Sequence, residues 1–167
     1  TEENTLSLHD ALPIFRLAPF QPRGTDVAVV LDLMIHDLDL ANHLVGGAAT
    51  QDVRANGVSI LSPHLDMVNA RVEFVGGVVA SMTASRVARD RVRRLRVFQP
   101  SGYISIDLAE GTGTFMRLRD GWRPGMGSSI EEIVETIPLT APEADALGLE
   151  LAAFVAAVRG ERAAIVT

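Results

Sequence analysis

The sequence places two carboxylates and two imidazoles at helical spacing: Asp32, His36, Asp39 and His43. At 100° per residue these four fall within about 60° of one another, so one narrow stripe of a helix carries them all. Leu31, Leu33, Met34, Ile35, Leu38, Leu40, Ala41, Leu44 and Val45 cover nearly all the remaining circumference, with Asp37 the exception. A helix that apolar all round is expected to be buried. Polar groups on a buried helix are expensive unless they are paired or face a solvated pocket. A carboxylate one turn from an imidazole can hydrogen-bond it, fix its tautomer and raise its basicity, as a general base requires. Three readings compete: a polar seam satisfied inside a core, a metal site, since Asp and His are both ligands, and a proton-transfer site. Carboxylate and histidine metal sites in helical proteins draw on facing helices. The other expected helix, Glu143 to Arg159, has no histidine, and proton transfer is the favoured reading.

The elements that must position this stripe follow from periodicity. The helix is expected at about Leu31 to Val45, fed by Val27 to Leu31 and ended by Gly46-Gly47. From Gln51 the period shifts towards two. Strands are expected at Val53 to Leu61, Met67 to Val75, Val78 to Arg86, Val92 to Gln99, Tyr103 to Leu108, Gly113 to Arg119 and Glu132 to Leu139. Gly76-Gly77 and Pro100-Ser101-Gly102 supply hairpin turns. Glu143 to Arg159 reads as an amphipathic helix stopped by Gly160, and Ala163 to Val166 as the start of a strand. Phe15 to Phe20 is strand-like. Residues 1 to 15 do not join the pattern, because Pro13 interrupts any helix begun at Ser7. They are expected to add little to the core, as a terminus or an assembly scar. The expected fold class is α+β: an open-faced, mostly antiparallel sheet with helices packed on one face.

Composition narrows the chemistry further. The 167 residues are 47 % hydrophobic and 22 % charged, an ordinary globular composition with room for one core. No apolar run approaches the ~20 residues that span a bilayer. There is no cysteine, which excludes disulfides, thiolate nucleophiles and cysteine-ligated metals. All 15 basic residues are arginine, so a Schiff-base lysine, a P-loop and a lysine base are excluded within the chain. A net charge of −6 argues against a nucleic-acid binder working by bulk charge. No glycine stretch has the strand–G-x-G-x-x-G–helix form that cradles a pyrophosphate.

The run Val29-Val30-Leu31-Asp32-Leu33-Met34-Ile35-His36-Asp37-Leu38-Asp39-Leu40 resembles the D-x-x-x-H helix in the C-terminal domain of the Gfo/Idh/MocA (glucose–fructose oxidoreductase / inositol dehydrogenase) family. The flanks agree: Arg16-Leu17-Ala18-Pro19-Phe20 and Pro22 to Val27 before it, and Asn69 to Phe74, Ala84-Ser85-Arg86 and Arg94 to Gln99 after it. Its wording is most like members of the UDP-N-acetylglucosamine 3-dehydrogenase type. The resemblance spans residues 16–167 and implies a substrate and oligomerisation domain that is truncated at its C-terminal end. It also implies a cytoplasmic NAD(P)-dependent oxidoreductase whose NAD or NADP is bound mainly by a Rossmann domain absent from this chain. On this resemblance His36 is the acid/base that takes the proton from a substrate hydroxyl. Asp32 binds that hydroxyl or orients the histidine, Asp39 supports them, and no metal is involved. The substrate would be a sugar, nucleotide sugar or cyclitol, and the isolated chain would be inactive.

Arg86, Arg89, Arg91, Arg93, Arg94 and Arg96 form the strongest charge cluster. Such a cluster either binds an anionic substrate or forms a solvated, salt-bridged face. Arg86, ending a strand after the family-like Ala84-Ser85, is the candidate substrate-binding member. Asn69, Arg71, Glu73, Ser81, Thr83, Ser85, Ser105 and Asp107 alternate with apolar residues and give the sheet a polar face. That face is either solvated or, as the resemblance implies, a homo-oligomer contact. The alternative to an enzyme is a non-catalytic oligomerisation or interaction domain using the same open face.

Overall fold

A computed structural model of the chain describes residues 10–141 and 145–163. Eight strands form one sheet in the order β2-β3-β4-β1-β5-β6-β7-β8. They are β1 (Ala11–Leu17), β2 (Thr50–Val58), β3 (Met67–Phe74), β4 (Val79–Ser85), β5 (Val92–Gln99), β6 (Gly102–Asp107), β7 (Thr112–Leu118) and β8 (Val134–Thr140). Only β1 and β4 pair in parallel; every other neighbouring pair is antiparallel. A π-helical turn (Val30–Met34) continues into α1 (Ile35–Leu44), and α2 (Ile130–Ile133) and α3 (Ala146–Val158) follow. The α+β open sheet is therefore as expected.

Strands β3, β4 and β5 follow the alternation that predicts them, because each buries one side only. Val68, Val72 and Phe74 of β3, Ala80, Met82 and Ala84 of β4, and Leu95 and Val97 of β5 are buried, while Asn69, Arg71, Ser81 and Arg94 between them are exposed. Met34, Ala41 and Val45 cover this apolar side from the helix. The opposite side is open.

The expectation that residues 1 to 15 add little to the core is corrected for residues 11–15, while residues 1–9 lie outside the described residues. The strand begins at Ala11 rather than Phe15 and lies at the centre of the sheet, between β4 and β5. Leu12 and Ile14 are 0 % exposed. Pro13 is tolerated because its ring replaces an N–H only where the ladder allows it. Against β5 the register runs Ala11↔Phe98 and then Ile14↔Leu95, leaving Leu12 and Pro13 without a partner on that side. Against β4 every residue from Ala11 to Leu17 is paired. Ile14→Val should accordingly cost about 1 kcal/mol and lower the thermal midpoint by a few degrees. An unchanged midpoint would show that β1 is dispensable.

The C-terminal helix also departs from expectation. Instead of one buried and one polar face, α3 leaves Leu147, Leu149, Leu151, Phe154 and Val158 all more than half exposed. The strand start expected at Ala163 to Val166 falls, from residue 164, outside the described residues. No helix among the described residues is long and apolar enough to cross a membrane.

Candidate functional site

The first helix is not the uniformly buried one that its composition suggests. One side of it, made by Val29, Met34, Asp37, Ala41 and Val45, faces the sheet. Leu31 (63 % exposed), Ile35 and Leu38 point outward, so the apolar circumference is only partly covered by this chain. His36, Asp39 and His43 are exposed and line an open depression with Leu40 and Asn42. His36, Asp39 and His43 of the stripe thus face outward and are not enclosed by this chain's own core, while Asp32 is half-buried.

Asp32 lies at the middle of the π-helical turn, whose wider ring is closed by the Ile35 N–H donating to Val30 O. Turns of this kind cost hydrogen-bond geometry and concentrate at functional positions. Asp32 is half-buried and abuts the loop before the helix: a Cβ at Gly24 would stand 3.1 Å from Asp32 Oδ2. Among the described residues no side chain hydrogen-bonds the rings of His36 or His43, so the expected carboxylate–imidazole pair is not formed within this chain. Asp32 and His36 are thus brought to one end of the helix, and Asp39 and His43 follow along the outward face. No group of three or more His, Asp or Glu side chains is placed to hold a metal ion among the described residues.

Arg86 corrects the expectation that it meets a substrate anion. Its side chain is 4 % exposed, and its fork is committed to main-chain oxygens. Nη1 donates to Gly24 O, and Nη2 donates to Val27 O and, at 3.2 Å, to Leu65 O. Nε stands 3.5 Å from Asp66 Oδ1. The other cluster members lie outside this arrangement. Arg89, Arg91, Arg93 and Arg94 are exposed; Arg94 pairs with Asp107 at 3.6 Å, and Arg96 lies over the Phe15 ring.

Two carboxylates escaped the sequence reading as structural groups. Asp37, noted only as an interruption of the apolar surface, accepts hydrogen bonds from Arg16 Nε and Nη2 at 2.8 and 2.7 Å. Asp66 is fully buried and accepts the N–H groups of Ile60, Leu61 and Ser62 at 2.7, 2.6 and 3.0 Å, together with the Ser62 hydroxyl at 2.7 Å. The available signal was positional: Asp37 is the acid on the otherwise apolar side of the helix, and Asp66 is a lone acid between Leu65 and Met67-Val68.

The Ser62 hydroxyl does most to hold the Asp66 carboxyl well below the usual carboxylate range; burial opposes it, and the three N–H groups reinforce it. A group that titrates lower when folded than its unfolded value of about 3.9 stabilises the fold above that pH, and the contribution is lost as the pH falls towards the folded value. Asp66→Asn should therefore lower the thermal midpoint at pH 7, and the gap from wild type should narrow as the pH drops below about 4. A gap that stays constant from pH 7 to pH 3 would show that the charge of Asp66 is not what the fold uses.

A sheet open on one side, backed by a helix that starts with a π-turn at Asp32 and exposes His36, defines a domain class. The model of the GFO/IDH/MocA C-terminal domain matches residues 16–105, and the chain belongs to that family. A UDP-N-acetylglucosamine 3-dehydrogenase from Acidithiobacillus ferrooxidans is 40 % identical over 147 residues, which are 88 % of this chain and 45 % of that protein. A solved structure of the enzyme of that name and organism superposes with a TM-score of 0.81 at 36 % identity, over 96 % of this chain and 49 % of its own. The fold recurs in the WlbA dehydrogenase from Bordetella pertussis, with a TM-score of 0.63 at 12 % identity over 96 % of this chain and 47 % of that one. The chain spans about half the length of the relatives it matches. The resemblance carried by the Asp32-to-His36 helix and its flanks thus extends to this dehydrogenase type.

Proposed function

We propose that this chain is the substrate-binding and acid/base part of an NAD(P)-dependent oxidoreductase acting on a secondary hydroxyl of a nucleotide sugar, within a substrate class that also spans sugars and cyclitols. The observation that carries this is the outward face of the first helix, with Asp32 at the π-turn and His36 one turn further on, both clear of the core. The sequence likeness to a nucleotide-sugar dehydrogenase supports the choice of substrate class. In oxidation His36 would take the proton of the substrate hydroxyl as the carbinol carbon becomes a carbonyl, and the hydride lost from that carbon would go to a bound nicotinamide. Asp32 accepts the hydroxyl's hydrogen bond or orients His36, and Asp39 supports the face. The cofactor supplies the hydride acceptor, held mainly by a Rossmann domain outside this chain. The outward Leu31, Ile35 and Leu38 beside these groups give an apolar wall that excludes water once a second domain covers them.

We assign a homo-oligomeric contact to the open sheet face, where Phe98 and Tyr103 pack with centroids 4.6 Å apart and Asn69 Oδ1 accepts from Thr83 Oγ1. The non-catalytic alternative uses that face alone. Joined to its cofactor domain, the protein should reduce NAD or NADP with a nucleotide sugar and yield a ketone at one ring carbon, measured by absorbance and mass spectrometry. A folded two-domain protein that associates through the open face, yet reduces neither cofactor with any sugar, nucleotide sugar or cyclitol, establishes the alternative.

A further inference from the structure

The carboxylate of Asp32 has no side-chain hydrogen bond among the described residues to hold it, so its placement depends on the backbone around it. The turn that carries it starts at Ala28, whose carbonyl accepts the N–H groups of Leu31 and Asp32 at 2.9 and 3.2 Å. Directly before it runs the segment 22–27. Gly24 of that segment has φ +81°, a conformation that side chains rarely adopt, and a Cβ there would stand 3.1 Å from Asp32 Oδ2 and 3.3 Å from Cγ.

What fixes this segment comes from the far end of β4. Arg86 donates to the carbonyls of Gly24 and Val27 and, through Leu65 O, to the strand-leading loop that also receives the Val29 N–H at 2.8 Å. A guanidinium can do this because its donors form a rigid planar fork, whereas an ammonium is a point charge on a flexible stem. Its buried charge is balanced by Asp66 at 3.5 Å, and Asp66 is itself pinned by Ile60, Leu61 and Ser62. A chain of polar contacts thus runs from the 60–62 loop through Asp66 and Arg86 to the carbonyls of Gly24 and Val27, and Gly24 stands beside the Asp32 carboxylate with no room for a side chain between them.

We propose that Arg86 is a positioning residue for Asp32, acting through the carbonyls of Gly24 and Val27, with Gly24 as the contact that sets the carboxylate. This rests on the assignment of Asp32 to the substrate site. Its functional weight follows from geometry: displacing a reacting group by about 1 Å can cost ~10²-fold in rate.

Native-state hydrogen exchange on the 167-residue chain tests the clamp without any activity. Arg86→Met should speed exchange at the amides of residues 29–32 at least tenfold, while those of β6 and β7 stay within twofold. Arg86→Lys, which keeps a charge opposite Asp66 but loses the fork, should do the same. Uniform speeding across the sheet, unchanged exchange at 29–32, or protection restored by lysine would each overturn the clamp. Gly24→Ala approaches from the other side and should shift the carboxylate carbon resonance of Asp32, assigned by its loss in Asp32→Asn; an unmoved resonance overturns the contact. In the two-domain enzyme, Arg86→Met should lower kcat/KM at least tenfold with Asp32 present and less than twofold in the Asp32→Asn background. A full additional loss in that background overturns positioning through Asp32 even where the dehydrogenase reading stands. If Asp32→Asn and His36→Asn leave turnover intact, the dehydrogenase reading fails and the exchange and resonance results still decide the clamp.

Discussion

In the two-domain enzyme, His36→Asn should cut turnover by ~10²–10⁴-fold, the usual worth of a positioned acid/base. The fold should not register the change. The His36 ring is exposed and accepts or donates no side-chain hydrogen bond among the described residues, so its replacement stays within about 0.5 kcal/mol, as for other surface positions. Cofactor affinity should also be unchanged. Asp32→Asn should lower kcat and raise KM together, because a carboxylate that holds the substrate hydroxyl acts in the ground state as well as in the transition state. The double variant should lose less than the two single losses combined, since both residues serve one proton transfer. The decisive comparison is the pH–rate profile of wild type beside His36→Asn. An acidic limb that persists unchanged in the variant, with turnover near normal, removes His36 from the base role and leaves the outward stripe as a solvated helix face.

How much of this was legible in the sequence depended on the range of the interactions involved. The alternation in β3, β4 and β5 reflects burial on one side of a sheet, a signal contained in neighbouring residues, and β5 runs from Val92 to Gln99 as expected. Pro13 misled because the rule against proline in central strands concerns a missing N–H, and the β1–β5 ladder has no pair at that residue. The helix misled for another reason. An apolar surface shows that burial is needed but not which chain provides it, and Leu31 and Ile35 are left uncovered here. Arg86 stands out in the sequence by type and place, yet its direction is set by carbonyls 62 and 59 residues away. Periodicity carries no information at that range. The same holds for Asp37, whose partner lies 21 residues off on β1.

That last pair should dominate the stability of the site's platform. Arg16 of β1 sends Nε and Nη2 to one oxygen of Asp37 on α1, next to His36, with side-chain exposures of 14 % and 1 %. The second oxygen, Oδ2, is buried and accepts nothing among the described residues, so Asp37 depends on Arg16 for its solvation. Arg16→Met keeps the apolar stem and strands the carboxylate; breaking a buried pair in this way costs about 3–5 kcal/mol. At 2–4 °C per kcal/mol for a domain of this size, the midpoint should fall by roughly 6–20 °C. Asp37→Leu should cost less, because Arg16 keeps some access to water. The double variant Arg16→Met/Asp37→Leu should recover most of the loss, since a well-packed apolar replacement of a buried pair is often neutral or better. A double-mutant cycle by chemical denaturation measures the coupling directly. If Arg16→Met costs under about 1 kcal/mol, the pair behaves as an exposed one, and the helix is then held on the sheet by its apolar contacts, Met34, Ala41 and Val45 among them.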